Sequence, residues 1–407
     1  MASHQPRHIE LEDVDTSQGG WPAVGWEEHT WHPALLESDI SRTEARRQTG
    51  PYLAALPAPI ASLQLDLPPD VVAELSEASS KIVRFDAEMG DDIAPFSAIL
   101  LRSESVASSQ IEHLTASARA IGLAELGENS GRNAAEIVAN TRAMQAAIDL
   151  SGHLDTTSML TMHRSLMEHR PDIAGQWRHQ QVWIGAGYGG PCRADFVPPH
   201  HAHVPALIED LIAFVARDDI AVLAQAAVAH AQFETIHPFV DGNGRVGRAL
   251  MQSLFRNKGL TENVTVPVSA GLLADPDAYV GALGRYRQGD PAEIVSLVSA
   301  ATFRALGNGR QLVNELRHIR AAWDHKINAR SDSAVWRVAD LLLRQPIVNH
   351  GVLGRELGSA NPDRYLRQIE HAGVITEFSG KRRNRLWIAN EVITALDDFA
   401  TRAGQRP

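Results

Sequence analysis

The stretch Phe233-Glu234-Thr235-Ile236-His237-Pro238-Phe239-Val240-Asp241-Gly242-Asn243-Gly244-Arg245-Val246-Gly247-Arg248 joins two helices through a turn suited to an anion. Pro238 biases His237 away from the right-handed helical region, so a helix running from Val222 ends there. In Asp241-Gly242-Asn243-Gly244 the glycines can take positive φ and turn successive backbone N–H groups inward, which makes a nest. The turn opens directly into the next helix, whose N-terminus adds roughly half a positive charge and unpaired N–H donors. Arg245 and Arg248, three residues apart, share one face of its first turn. Two arginines in that position oppose the helix macrodipole unless an anion answers them, so a polyanion is expected. Asp241 would repel such an anion, and its presence is explained if it holds a divalent cation that bridges to phosphate oxygens. A nucleotide with Mg²⁺ satisfies both demands. His237, beside the cradle, has the ordinary pKa suited to taking a proton near pH 7 and is the expected general base.

Simpler readings compete for the same residues. A DGNG run is often only a helix-to-helix turn, and it is the whole constellation that carries the chemistry. His230, Glu234 and His237 fall at i, i+4 and i+7 on one helical face, but the metalloprotease spacing is His-Glu-x-x-His. The Ala-rich surroundings make His230 a packed core histidine. His200, His201 and His203 follow Pro198-Pro199 and read as a solvated loop.

Around this segment lies an ordinary folded chain. Its 407 residues suggest two to four domains, and 44% hydrophobic with 21% charged residues excludes a wholly disordered or disulfide-dense protein. One cysteine, Cys192, can form no internal bridge, which fits a reducing cytosol. No segment approaches the ~18 uninterrupted apolar residues of a membrane span. The net charge of −11 argues against a general polyanion binder, so any phosphate chemistry must be concentrated in one place.

The order along the chain is mainly helical. Residues 1–30 are polar, with the acidic run Glu10, Glu12, Asp13 and Asp15, and are expected to be a frayed or loosely docked arm. Helical periodicity runs through Pro69–Ala120, Ala134–Ala147 and Met159–His169, the last behind the N-cap run Asp155-Thr156-Thr157-Ser158. The pattern breaks at Gln181–Pro199, where Val182-Trp183-Ile184 and Ala194–Val197 flank Gly185, Gly187, Gly189 and Gly190, a hairpin signal. Helices then resume over Val204–Arg217, Val222–Ile236, from near Gly244, over Asp277–Tyr286 and over Pro291–Ile327. After about residue 330 come three short helices, Ser333–Arg344, Asn349–Leu357 and Asn361–Ala372, and then two β-prone runs, Val374–Phe378 and Arg385–Ile388, around a polar turn. Three helices and a hairpin is the winged helix-turn-helix order. The expected units are a 1–30 arm, a 31–150 helical region, a 151–328 core and a 329–407 winged helix.

His237 to Arg248 resembles the signature of Fic domains, HPFx[D/E]GNGRxxR, with every specified position filled. The surrounding order is similar too. The hairpin Gln181–Pro199 lies where the family has its target-docking flap, Gly175-Gln176-Trp177-Arg178 just ahead of it, and a Tyr279-x-x-x-Leu283 helix after. The resemblance covers about Ile82–Ala305 and implies a mainly α Fic core with a β-hairpin flap. It also implies AMP transfer from ATP to a hydroxyl of a target protein. His237 would deprotonate that hydroxyl and Asp241 would bind Mg²⁺ on the α- and β-phosphates. Asn243 and the N–H groups around Gly242 and Gly244 would hold the phosphates, Arg245 and Arg248 would neutralise the β- and γ-phosphates, and Phe239 would anchor the loop. The flap strand Val182-Trp183-Ile184 would present its edge to the target.

Ser108-Ser109-Gln110-Ile111-Glu112 resembles the family's inhibitory motif [S/T]xxxE[G/N], in which the glutamate pairs with the second signature arginine. Glu112 would then face Arg248 and block the γ-phosphate, although His113 stands where the pattern asks for Gly or Asn. In the C-terminal part, residues 331–407 carry 11 Lys and Arg against 9 Asp and Glu. Lys381, Arg382, Arg383 and Arg385, with Arg364 and Arg367, form a face for phosphate contact, offset by Asp363 and Glu370. DNA or a second protein, including a homodimer partner, are the partners this module suggests; a membrane is not. The alternatives to an autoinhibited adenylyltransferase are a DNA-binding regulator whose Fic domain senses nucleotide, and a Fic enzyme that transfers another group or removes AMP.

Overall fold

A computed structural model describes residues 20–33, 48–90, 95–185, 190–358, 362–380 and 384–404. The fold is mostly helical with two small antiparallel sheets. Its helices are α1 (Pro69–Gly90), α2 (Pro95–Ile111), α3 (Ala118–Glu125), α4 (Arg132–Asp149), α5 (Thr156–Leu166), α6 (Val204–Val215), α7 (Val222–Ile236) and α8 (Asn243–Asn257). They continue with α9 (Val268–Leu273), α10 (Pro276–Arg287) and the 35-residue α11 (Ala292–Lys326).

α7 is buried on every side from Leu223 to Ile236, its Gln225, His230, Gln232, Glu234 and Thr235 included, which makes it the central helix. α8 packs along it, and α4, α5, α6, α10 and α11 surround the pair. α5 starts as its N-cap run predicts: Asp155 and Ser158 form a reciprocal capping box.

The N-terminal arm is corrected in part. Residues 1–19 lie outside the described residues, but Gly25–Trp31 is a strand, β1, paired antiparallel with β2 (Gly50–Leu56). The period-2 alternation that makes it a strand is only seven residues long, and its partner starts about twenty residues later. The flap is shorter than the expected hairpin. Ile184 bridges Phe196 antiparallel, and both its N–H and its C=O face Asp195 and Phe196; Gly187 and Gly189 lie outside the described residues. Ala55 N–H donates to Val197 O at 2.9 Å, so β1 and β2 extend the flap. Trp31 against Trp183 and Trp26 against Phe196 cover the join edge-on.

The trio His200, His201 and His203 is half-buried in a short 3₁₀ turn rather than a fully solvated loop. His200 stacks on His29 at 4.8 Å, and His203 Nε2 lies 3.0 Å from Glu27 Oε2. β1 supplies these partners, which is why a loop reading missed them.

At the C-terminal end α12 (Val335–Arg344), β3 (Ile347–Val348), α13 (His350–Leu357), α14 (Asp363–His371), β4 (Thr376–Glu377) and β5 (Trp387–Ile388) follow in order, with the strands arranged β3-β5-β4. A final helix, α15 (Asn390–Arg402), packs on α11 and α3. Trp323 Nε1 donates to Glu391 Oε2, and Ala118 N donates to Asp397 Oδ1. The basic turn Lys381–Arg383 lies outside the described residues.

Candidate active site

His237 is the C-cap of α7, in the left-handed region at φ 50°. A histidine pays for this conformation, and its surroundings impose it. Arg178, buried, donates from Nε to His237 O at 2.8 Å, and from Nη2 to Pro199 O and Ile236 O. Its own N–H donates to Pro238 O. Burial pushes the His237 imidazole down to about 4, and the Arg178 charge acts in the same direction. The ring is therefore neutral near pH 7 and has a lone pair to accept a proton.

The loop that follows is held from inside. Phe239 is buried with its ring stacked on His163 at 3.7 Å and on Trp177 at 4.9 Å. Gly175 N–H donates to His163 Nδ1 at 3.0 Å, so His163 Nε2 carries the proton and donates to Asp241 O at 3.1 Å. Burial pushes the His163 imidazole down to about 4, consistent with this neutral tautomer. Asn243 Oδ1 accepts from Phe239 N and its Nδ2 donates to Phe239 O. The Asn243 side chain is thus spent on the loop, and what it has left for a phosphate is its backbone N–H. Gly242 caps α8 at φ 81°. The first helical bond, Val246 N to Gly242 O, leaves the N–H groups of residues 243–245 without helical acceptors.

The other expected residues converge here. Asp241 is 55% exposed at its side chain, and its contacts with Gly242 N and Arg245 Nη2 both fall on Oδ1. Arg248 is buried; it donates from Nε to Ser108 Oγ at 2.9 Å and from Nη2 to Ser108 O at 2.7 Å and Glu112 Oε1 at 2.9 Å. Burial raises the Glu112 carboxyl, but the Arg248 guanidinium outweighs this and holds it below the ordinary range. Glu112 lies directly over the nest: a Cβ at Gly244 would collide with its Oε1. The flap residues Val182–Ile184 stand apart, on the sheet that β1 and β2 extend.

The chain exit at Glu112 is a Schellman turn. Leu114 N donates to Ser109 O and His113 N to Gln110 O, with His113 at φ 61°. Gly and Asn are the residues that take this conformation at least cost. His113 adopts it all the same, so the departure from the motif leaves the backbone path unchanged.

Sequence reasoning passed over Arg178 and His163 as working residues, since each meets the loop from far away in the chain. The buried Glu234 was weighed only as a zinc ligand; burial raises its carboxyl to about 7. His230 Nε2 meets Tyr279 OH at 2.7 Å, and among the described residues no group of three His, Cys, Asp or Glu side chains can hold a metal ion.

Fold and site together define a helical protein built round a helix-terminal anion nest with a neutral histidine at its rim. Residues 153–255 match the Fic/DOC family model, so the chain carries a segment with the Fic/DOC signature. Over 112 residues it is 34% identical to a probable protein adenylyltransferase of Aquifex aeolicus (strain VF5), covering 24% of this chain and 35% of that protein. Over 105 residues it is 32% identical to the protein adenylyltransferase Fic of Drosophila erecta, covering 25% and 19%. The chain thus spans about a third or less of the length of these relatives. The crystal structure of a Fic family protein from Desulfovibrio desulfuricans G20 shares the fold, with a TM-score of 0.52 at 21% identity over 80% of this chain and 97% of that one. No helix among the described residues is long and apolar enough to cross a membrane.

Proposed function

We propose that this chain is a protein adenylyltransferase that moves AMP from ATP to a hydroxyl group of a target protein, with Glu112 holding it inactive at rest. The observation that carries the reading is a neutral, largely buried His237 at the rim of a nest whose floor is Gly244 and over which, among the described residues, the Glu112 carboxylate lies. A carboxylate over the N–H groups of a helix N-terminus is the charge that such a site favours.

In the active state the target hydroxyl oxygen attacks the α-phosphorus and His237 takes the hydroxyl proton. The bond from that phosphorus to the bridging oxygen of the β-phosphate breaks, and pyrophosphate leaves. Catalysis of this kind rests on positioning and charge stabilisation. Arg178 fixes His237, and His163 with Asn243 fixes the loop whose N–H groups face the phosphates. Arg245 and Arg248 take the charge of the β- and γ-phosphates. Asp241 fits a divalent cation, because its carboxylate is half-exposed and uses one oxygen for both protein contacts. Asp241 would hold Mg²⁺ there, and the cation would supply charge stabilisation for the leaving pyrophosphate.

The C-terminal helices and three-stranded sheet we read as a winged-helix module, with Arg364 and Arg367 on α14. Incubating the full chain with α-labelled ATP tests the main reading: Glu112→Gly should label protein, and Glu112→Gly with His237→Ala should bind ATP but transfer no label. Undiminished labelling by that double variant would sink the mechanism.

A further inference from the structure

The two signature arginines are answered differently. Arg248 spends its donors on Ser108 and Glu112 at 2.7–2.9 Å. Arg245 is only 3% exposed, yet its Nε and Nη1 have no hydrogen-bond partner among the described residues. Burying a guanidinium this way is costly unless countercharge stands close. Two carboxylates within 4 Å supply it without saturating the donors. Asp241 Oδ1 is 3.5 Å from Nη2, at the limit of a hydrogen bond, and Glu136 Oε2 is 3.6 Å from Nη1.

These carboxylates differ in freedom. The Asp241 side chain is 55% exposed, whereas that of Glu136, on α4, is 10% exposed and is tied through Oε1 to Arg132 Nε at 2.8 Å. Glu136 lies outside the residues that match the family model. It lines one cavity with Arg132, Asp241, Arg245 and Glu112.

We propose that Glu136 is a positioning residue that keeps Arg245 charge-compensated and aimed while Asp241 turns away from it to a divalent cation. The assignment rests on the adenylyltransferase reading for the identity of that cation and its polyphosphate. With Asp241 as sole counter-ion, each cation bound would strand a buried guanidinium. With Glu136 in place, Arg245 keeps one carboxylate, and its open Nε and Nη1 remain for phosphate oxygens. Distance separates this role from that of Glu112. At 2.9 Å Glu112 consumes an arginine donor, whereas at 3.6 Å Glu136 neutralises without consuming one.

The test uses the full chain in the Glu112→Gly background, comparing Glu136→Gln and Glu136→Asp. Mn²⁺ binding to the ATP complex is followed by electron paramagnetic resonance, ATP binding in EDTA by calorimetry, and AMP transfer by kcat and KM against Mg²⁺. Glu136→Gln should weaken Mn²⁺ binding about tenfold, the equivalent of ~1.4 kcal/mol, while holding metal-free ATP at least as tightly as the parent. Its KM for ATP with Mg²⁺ should rise with little change in kcat, and Glu136→Asp should recover most of the Mn²⁺ affinity. Unchanged Mn²⁺ binding in Glu136→Gln, an equal loss of metal-free ATP binding, or a Glu136→Asp as impaired as Glu136→Gln would each overturn the assignment. A Glu112→Gly parent that neither binds Mn²⁺ with ATP nor transfers AMP would sink the adenylyltransferase reading and this assignment with it. A competent parent with an unaffected Glu136→Gln would sink this assignment alone.

Discussion

Replacing Glu112 by Gly removes the only carboxylate among the described residues that bonds Arg248 and empties the space over Gly244. The size of the effect follows from the geometry. A buried charge-assisted hydrogen bond contributes roughly 1.5–3 kcal/mol. Here one carboxylate oxygen makes one bond of 2.9 Å and the Glu112 side chain is 39% exposed, so solvent screens the pair. About 1–1.5 kcal/mol is the appropriate range after that discount. Because the carboxylate and a γ-phosphate cannot share the nest, this free energy appears as competition with ATP. It corresponds to a roughly five- to twelvefold fall in the apparent KM for ATP. Arg248 does not collapse when Glu112 goes, because Ser108 still accepts two of its hydrogen bonds, at 2.9 and 2.7 Å. The assay is label transfer from α-labelled ATP over a range of ATP concentrations, with Glu112→Gln as the uncharged control of similar volume. Glu112→Gly should label strongly, Glu112→Gln to an intermediate level, and adding Arg248→Ala to Glu112→Gly should erase the gain. If Glu112→Gly has the wild-type KM and yield, the carboxylate over Gly244 is not what keeps ATP out.

Three further outcomes follow from the same site. His113→Gly should relieve a left-handed non-glycine residue, stabilise the fold by about 1 kcal/mol and deepen inhibition; a melting temperature at or below wild type would contradict this. Because burial holds His237 near 4, protonation of this base should remove AMP transfer by Glu112→Gly only as the pH falls toward 4, with no loss through 6.5; a pH–rate profile with its acid limb at 6–7 would show that the ring is solvated in the working state. Ile184→Pro deletes the N–H that meets Phe196 O at 2.8 Å, so target labelling should fall more than ATP binding, and equal losses would make the flap a purely structural element.

What was legible in the sequence divides along contact distance. The signature loop is local: Pro238 ending a helix, glycines that permit a nest and two arginines one turn apart are read within a dozen residues. The pairing of Glu112 with Arg248 spans 136 positions, and it was expected only because a short motif resembles one whose partner is known. No such motif points to Arg178, which reaches the backbone of His237 across 59 positions, or to His163, which reaches Asp241 across 78. Both act on backbone carbonyls, whose chemistry is the same at every residue and leaves no trace in the partner's identity. Glu136 was hidden differently. Its spacing from Arg132 reads as an ordinary i,i+4 surface pair, and only the packing of α4 on α8 turns its other oxygen toward a buried arginine.

The packing of α2 bears on how the proposed inhibition could be relieved. Glu104 accepts from Ser269 N at 2.8 Å and from Ser269 Oγ at 2.6 Å, tying one face of the helix to α9. Asn140 Nδ2 donates to Ser105 O and Ser109 Oγ from α4, and α12 and α15 cover the helix from the C-terminal module. Ser108, at the centre of this clamp, is fully buried. Withdrawing the whole helix would break all of these contacts at once, several times the cost of the single Glu112 bond. Glu112 itself sits one residue past the helix, at the C-cap of the Schellman turn, with much of its side chain in water. The inexpensive motion is therefore a rotation of that one side chain away from Gly244 while α2 stays seated. ATP binding strong enough to outweigh about 1–1.5 kcal/mol would drive it without any change in the fold.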